Sequence, residues 1–112
     1  NDAAFAKMKK NAVLVNCSRG PVIDTDALVR ALDAGKIAGC ALDTVDPEPL
    51  PDPHPLRGRE NVIINPHAAW YSEQAMKGLQ AGAPGEVQRV LSGQWPINVV
   101  NPAVRGNNRA GI

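Results

Sequence analysis

Three short apolar runs that show no alternation of polar and apolar residues constrain this chain more than any other feature. Residues 12–17 read Ala-Val-Leu-Val-Asn-Cys, residues 37–43 read Ile-Ala-Gly-Cys-Ala-Leu-Asp, and residues 61–65 read Asn-Val-Ile-Ile-Asn. A strand with one face in water alternates. A near-continuous apolar run of this length fits a strand covered on both faces, as in a parallel sheet. Parallel strands need crossover connections, and the segment between the first two runs offers one. Asp24 or Thr25 can cap a helix there, with Leu28, Val29, Leu32 and Ile37 marking its apolar side and Gly35 ending it. Strand, helix, strand, loop, strand predicts an α/β fold with parallel pairing.

The flanking segments are also patterned. Asn1 and Asp2 can cap a helix over residues 3–10 whose Phe5 and Met8 share a face. Residues 46–57 carry five of the ten prolines and predict a loop stiffened by restricted φ angles. From Ser72 a helical pattern runs to Leu91, with Glu73 in its first turn and Gly93 after its end. Gly82, Pro84 and Gly85 interrupt it. An interior proline costs about 3 kcal/mol, so a kink or two helices are expected. From about Asn101 the chain is rich in Asn, Gly and Arg, and a frayed end is expected. Three strands are too few for a comfortable doubly wound sheet, so the rest of the sheet is expected to precede Asn1 and the chain is read as a fragment.

Charge and composition narrow the partners. A net charge of +1 gives no electrostatic case for nucleic acid or an anionic membrane. No stretch approaches the roughly 20 apolar residues that span a bilayer, and the amino terminus has no signal-peptide pattern. Cys17 and Cys40, the two cysteines, fall in runs read as buried strands, which suits free thiols in a reducing cytoplasm. The expectation is a cytoplasmic protein. With His54 and His67 these thiols show neither Cys-x-x-Cys nor His-x-x-x-His spacing, so no metal site is expected. His54 is expected to bond nearby loop backbone.

In open α/β sheets ligands collect beyond the carboxyl ends of the strands. Arg19 follows the first run, Asp43 ends the second, and His67 stands two residues past Asn65 at the end of the third. Glu48 lies in the proline-rich loop just after Asp43. The planar fork of an arginine can hold a carboxylate through two parallel hydrogen bonds. A histidine can give or take a proton near neutral pH, and a carboxylate beside it orients the ring. Asp43 can bond a cofactor amide or shape the local field. Each residue has a plainer alternative. Arg19 can be a solvated turn residue, Asp43 a turn former, Glu48 simply exposed and His67 a structural hydrogen bonder.

The string Leu14-Val15-Asn16-Cys17-Ser18-Arg19-Gly20-Pro21-Val22-Ile23-Asp24 resembles the Val-Asn-x-x-Arg-Gly-x-x-Val-Asp signature of the D-2-hydroxyacid dehydrogenases. Residues 35–43, Asp-Pro-Glu-Pro-Leu-Pro at 46–51 and Asn-Pro-His-Ala-Ala at 65–69 resemble the family's next three blocks, in the same order. The resemblance implies the second half of a Rossmann-like NAD-binding domain over residues 1–71. Residues 72–112 would be the helix and tail returning to the substrate domain. It implies reversible hydride transfer between NAD(H) and a small 2-oxo or 2-hydroxy acid. Arg19 would bind and polarise the substrate, His67 would donate the proton, and Glu48 would pair with that histidine. Asp43 would lie near the nicotinamide carboxamide, while Cys17, Ser18 and Arg19, with His67, Ala68, Ala69 and Trp70, would line the nicotinamide end of the cofactor. A homodimer is expected of the full-length protein.

Residues 67–75, His-Ala-Ala-Trp-Tyr-Ser-Glu-Gln-Ala, resemble C-terminal binding proteins, the dehydrogenase-like transcriptional corepressors. That implies an alternative function, a corepressor-like binding protein that senses NADH. There Trp70 would place its indole beside the substrate's side chain, or else pack at the domain hinge. No Gly-x-Gly-x-x-Gly occurs in the chain. The preference for NAD therefore comes from the family alone, and the isolated chain is expected to be inactive.

Overall fold

The computed structural model describes residues 1–107 and 111, which form two compact units, Asn1–Trp70 and a second that begins at Tyr71. In the first unit the apolar runs become β1 (Val13–Asn16), β2 (Gly39–Leu42) and β3 (Val62–Ile64), paired in parallel in the order β1-β2-β3. Val13 lies opposite Gly39 and Asn16 opposite Leu42, while Cys40 lies opposite Val62 and Leu42 opposite Ile64. The connection from β1 to β2 is α2 (Thr25–Asp33), whose N-cap Asp24 accepts from the Ala27 amide at 2.9 Å. Gly35, at φ +58, carries the chain out of the helix in a left-handed conformation that costs a glycine little. The fold is the expected α/β arrangement.

The core sits on one face of the sheet. Ala27, Leu28, Ala31 and Leu32 of α2 cluster with Cys40, Leu42 and Phe5, and Leu14, Val62 and Ile64 pack against them. Burial pushes the Cys40 thiol pKa up. The opposite face differs from expectation. Val13, Val15 and Ile63 are each more than 60% exposed. Residues Asn1–Trp70 therefore cover one face of the sheet, although the strands are apolar on both. Cys17 also departs from the sequence reading. It lies just past β1 and is exposed, and both cysteines are free.

The first helix is shorter than the pattern over residues 3–10 suggests. The helix α1 (Asp2–Phe5) is capped by Asn1, whose Oδ1 accepts from the Ala4 amide at 3.2 Å. Beyond it the chain tightens into turns in which Lys7 donates to Ala4 and Met8 to Phe5. Lys7 and Lys10 would stand one turn apart on a continued helix, where like charges repel. The turns still bring Met8 against the core. Arg30 clamps α2 to α1 through two hydrogen bonds to Asp2, of 3.1 and 2.7 Å. Those bonds hold the Asp2 carboxyl below the usual carboxylate range and raise the Arg30 pKa in return. The proline-rich loop is pinned by buried Leu50 and Leu56 and by Arg57, which donates to the Pro51 carbonyl at 2.8 Å. His54 accepts from the Leu56 amide at 3.2 Å, a local backbone contact of the kind expected for it.

In the second unit α3 (Glu73–Leu91) is a single helix with Pro84 inside it. Of the expected kink or two helices, two helices are not formed, because the helix is continuous through Pro84. A proline removes one hydrogen bond, here to the carbonyl of Gln80, and Gln80 is exposed, so water can satisfy that oxygen. Ser72 caps the start by accepting from the Ala75 amide at 3.0 Å. Glu86 folds the following segment back onto the helix, accepting from the Ile97 amide at 3.0 Å and the Asn98 side chain at 2.8 Å. A 3-10 turn, Pro102–Val104, follows, and Arg105 stacks over the Trp95 ring at 5.3 Å. The frayed end expected of the tail falls largely on residues 108–110 and 112, outside the described residues.

Candidate active site

Polar residues at the ends of β1 and β2 shape the segments that follow the strands. Asn16, the last residue of β1, is buried, and its side chain is fully used. Oδ1 accepts from the Ser18 amide at 3.1 Å, and Nδ2 donates to the carbonyls of Arg19 at 3.0 Å and Thr44 at 3.5 Å. Asn16 thus folds the Cys17–Arg19 turn and ties it to the end of β2. Gly20 continues the turn directly against the backbone of Val45, where a Cβ would come within 2.0 Å of the Val45 oxygen. Arg19 is exposed and its guanidinium donates to the Ser18 carbonyl at 2.8 Å. Among the described residues it makes no ion pair with Glu48.

Asp43 follows β2 and is 5% exposed. Its Oδ1 accepts from the amides of Ala68 at 2.9 Å and Ala69 at 3.0 Å, and its Oδ2 from Ala69 at 3.0 Å. The segment after β3 is therefore held by its backbone to the end of β2.

His67 lies in that segment at φ +54, the only described non-glycine residue with a positive φ. Its Nδ1 stands 2.8 Å from Oε1 of Glu48, with the two side chains 37% and 43% exposed. At that exposure solvent screens the pair, and its value is orientation rather than stability. The His67 carbonyl accepts from the Trp70 indole N–H at 3.0 Å. Beside these groups a cleft of about 370 Å³ is lined by Asp43, Glu48, Leu50, Arg57, Asn65 and Pro66.

The structure brings Glu48 to His67, Asp43 to Ala68 and Ala69, and Trp70 to the His67 backbone. Cys17 and Ser18, after β1, and Ala68 and Ala69, after β3, are exposed at the ends of the two strands that flank β2. The organising role of Asn16 was not read from the sequence. Its one signal there is that it is the only polar side chain ahead of the cysteine in an otherwise apolar run. Chemically, the site offers an oriented imidazole whose second nitrogen is left for a proton transfer, and an exposed guanidinium for an anion.

The carboxylate-braced histidine and the arginine turn stand at the carboxyl ends of a parallel α/β sheet, where ligands of such sheets generally bind. The family described as D-isomer specific 2-hydroxyacid dehydrogenase, NAD binding domain, matches residues 1–69, and the chain belongs to it. It is 45% identical over 104 residues to a glyoxylate reductase from Thermofilum pendens, an alignment that covers 93% of this chain and 31% of that protein. It is 42% identical over 101 residues to a hydroxypyruvate reductase from Blautia hydrogenotrophica, covering 90% and 31%. Among solved structures it resembles D-lactate dehydrogenase with NAD+ from Lactobacillus jensenii, with a TM-score of 0.77 and 28% identity over 90% of this chain and 34% of that one. The chain spans about a third of the length of these relatives. Among the described residues no helix is long and apolar enough to cross a membrane.

Proposed function

We propose that this chain carries the proton-transfer and substrate-binding groups of an NAD-dependent D-2-hydroxyacid dehydrogenase. The observation that carries this is the 2.8 Å contact between His67 Nδ1 and Glu48 Oε1 at the carboxyl ends of the parallel sheet, within a family of NAD-binding domains. Residues 1–71 are the second half of the dinucleotide domain, and residues 72–112 are the helix and tail that return to the substrate domain.

Cys17, Ser18, Ala68, Ala69 and Trp70 suit the nicotinamide end of NAD because they follow the two strands that flank β2, at the carboxyl edge of the sheet, with small or flat side chains open to solvent. When bound, the reduced cofactor supplies the hydride. Everything else falls to the chain. Arg19 holds the carboxylate of a 2-oxo acid, its guanidinium leaving the Ser18 carbonyl to do so. Glu48 accepts from Nδ1–H of His67, which aims Nε2 at the substrate carbonyl oxygen. As hydride reaches the carbonyl carbon, Nε2 gives its proton to that oxygen and the 2-hydroxy acid forms. In the oxidative direction His67 takes the proton back. Small 2-oxo acids are the substrate class, glyoxylate and hydroxypyruvate first, in keeping with the relatives' names. Those names also favour catalysis over a corepressor-type role. We further propose a cytoplasmic homodimer, which light scattering on the full-length protein checks.

The test is NADH consumption by the full-length protein against a panel of 2-oxo acids, with His67→Gln and Arg19→Gln alongside. Turnover is expected to drop by roughly 10²- to 10⁴-fold in His67→Gln with NADH affinity unchanged. Arg19→Gln should raise KM for the acid. Absence of turnover in the unmodified protein, with NADH still bound, would overturn the assignment.

A further inference from the structure

Glu48 orients His67 from a loop that has little of its own to hold it. Pro47, Pro49, Pro51, Pro53 and Pro55 bring no N–H, so the loop can make few backbone hydrogen bonds to itself and is held by side chains instead. Two of them flank Glu48. On one side the hydroxyl of Thr25, the first residue of α2, donates to the Asp46 carbonyl at 3.0 Å. On the other the guanidinium of Arg57 donates to two successive carbonyls, from Nε to Pro51 at 2.8 Å and from Nη2 to Leu50. Arg57 is itself anchored. It follows the buried Leu56, and its amide donates to the His54 carbonyl at 2.9 Å. It lines the same cleft as Glu48, Pro49 and Leu50. Among the described residues its side chain forms no ion pair, so its contact is with the loop backbone.

We propose that Arg57 is a positioning residue for Glu48, and through it for His67, a role that rests on the proton transfer assigned to His67 above. The buried Leu50 fixes one point of the loop, but a single apolar anchor leaves the peptide planes around it free to turn. A guanidinium fork on two successive carbonyls fixes the planes that follow Leu50 and Pro51. With Thr25 holding Asp46, the stretch that carries Glu48 is fastened at both ends, and its carboxylate is presented to His67 Nδ1. Both members of the Glu48–His67 pair are partly exposed. Their contact is therefore too weak to draw a loose loop into place, and it depends on the loop being placed beforehand. Residue type matters at position 57. A lysine carries one ammonium on a flexible stem and reaches one carbonyl well. An alanine reaches neither.

The experiment compares Arg57→Lys and Arg57→Ala with the unmodified full-length protein, and adds Glu48→Gln and the double variant of Arg57→Ala with Glu48→Gln. We expect kcat to fall by about 10- to 10²-fold in Arg57→Ala, the scale of a misplacement of roughly 1 Å caused away from the chemistry. Arg57→Lys should lose less, and it makes the same comparison if the alanine variant does not fold. NADH affinity should hold, and the pH limb of kcat belonging to His67 should move. The double variant decides the route. If Arg57 acts through Glu48, adding Arg57→Ala to Glu48→Gln should cost little further kcat. Losses that multiply in the double variant would overturn the proposal. A second measurement does not depend on turnover. In a proton NMR titration the His67 ring signals should shift their midpoint in Arg57→Ala in the same direction as in Glu48→Gln. A midpoint that moves in Glu48→Gln and stays put in Arg57→Ala would sink the positioning role. A protein that turns over no 2-oxo acid yet shows the shared NMR shift would lose the enzymatic role and keep the positioning.

Discussion

Glycine at position 20 shows how tightly a single residue is specified near the site. Its Cα packs onto the Val45 backbone so closely that a methyl group would sit 2.0 Å from the carbonyl oxygen, and backbone cannot swing aside as a side chain can. Gly20→Ala should therefore destabilise the first unit by about 1–3 kcal/mol, the range for overpacking, measured as a shift in the urea midpoint. It should also displace the Arg19 turn, because Arg19 precedes it and its carbonyl is held by Asn16. An unchanged midpoint would mean that the Val45 segment yields. Residues of this kind divide into those legible in the sequence and those that are not. Arg19, Glu48 and His67 stand out because their chemistry and spacing resemble a known pattern, and Glu48 and His67 lie within hydrogen-bond distance. The left-handed conformation of His67 leaves no such trace, since no glycine marks it. Nor does the hold of Asp43 on Ala68 and Ala69, because it joins positions that only the parallel pairing brings together.

Among the elements, the three strands and α2 were legible because short apolar runs with β-branched residues and turn signals suit strands, and a capped amphipathic pattern suits a helix. Element ends were less so. α1 stops at Phe5 because lysines follow and its anchors, Phe5 and Met8, can pack without a further turn of helix. A kink or two helices were expected at the glycines and proline of α3, and a single helix runs from Glu73 to Leu91. A local penalty of about 3 kcal/mol for proline does not by itself end a helix of that length with caps at both ends. The helix should then gain from removing what weakens it. A Cβ at Gly82 meets nothing within 4 Å, so Gly82→Ala should add about 1 kcal/mol of helix stability. Thermal unfolding followed by circular dichroism checks this, and a loss of stability would mean that the position is more crowded than it is here.

The whole molecule presents one sheet face that its own first unit does not cover. Parallel sheets are ordinarily buried on both sides, and here Val13, Val15 and Ile63 lie in the open. The sequence reading expected cover on both faces because it counted apolar residues and had no means of locating the cover. The chain spans about a third of its relatives' length, and a contiguous apolar face of this kind is sticky by itself. The 112-residue chain alone is therefore expected to bind a hydrophobic dye such as ANS and to self-associate on light scattering. Val15→Lys with Ile63→Lys should reduce both signals, and a dye-silent, monomeric wild-type chain would contradict this. The hold on the turn after β3 carries a last consequence, for how freely its sequence can drift. Asp43 grips residues 68 and 69 by their amides and leaves their side chains out of the bargain. Nineteen of the twenty amino acids carry that amide hydrogen, proline alone lacking it. Positions 68 and 69 are thus expected to accept any residue but proline without loss of the hydrogen bonds that hold this turn.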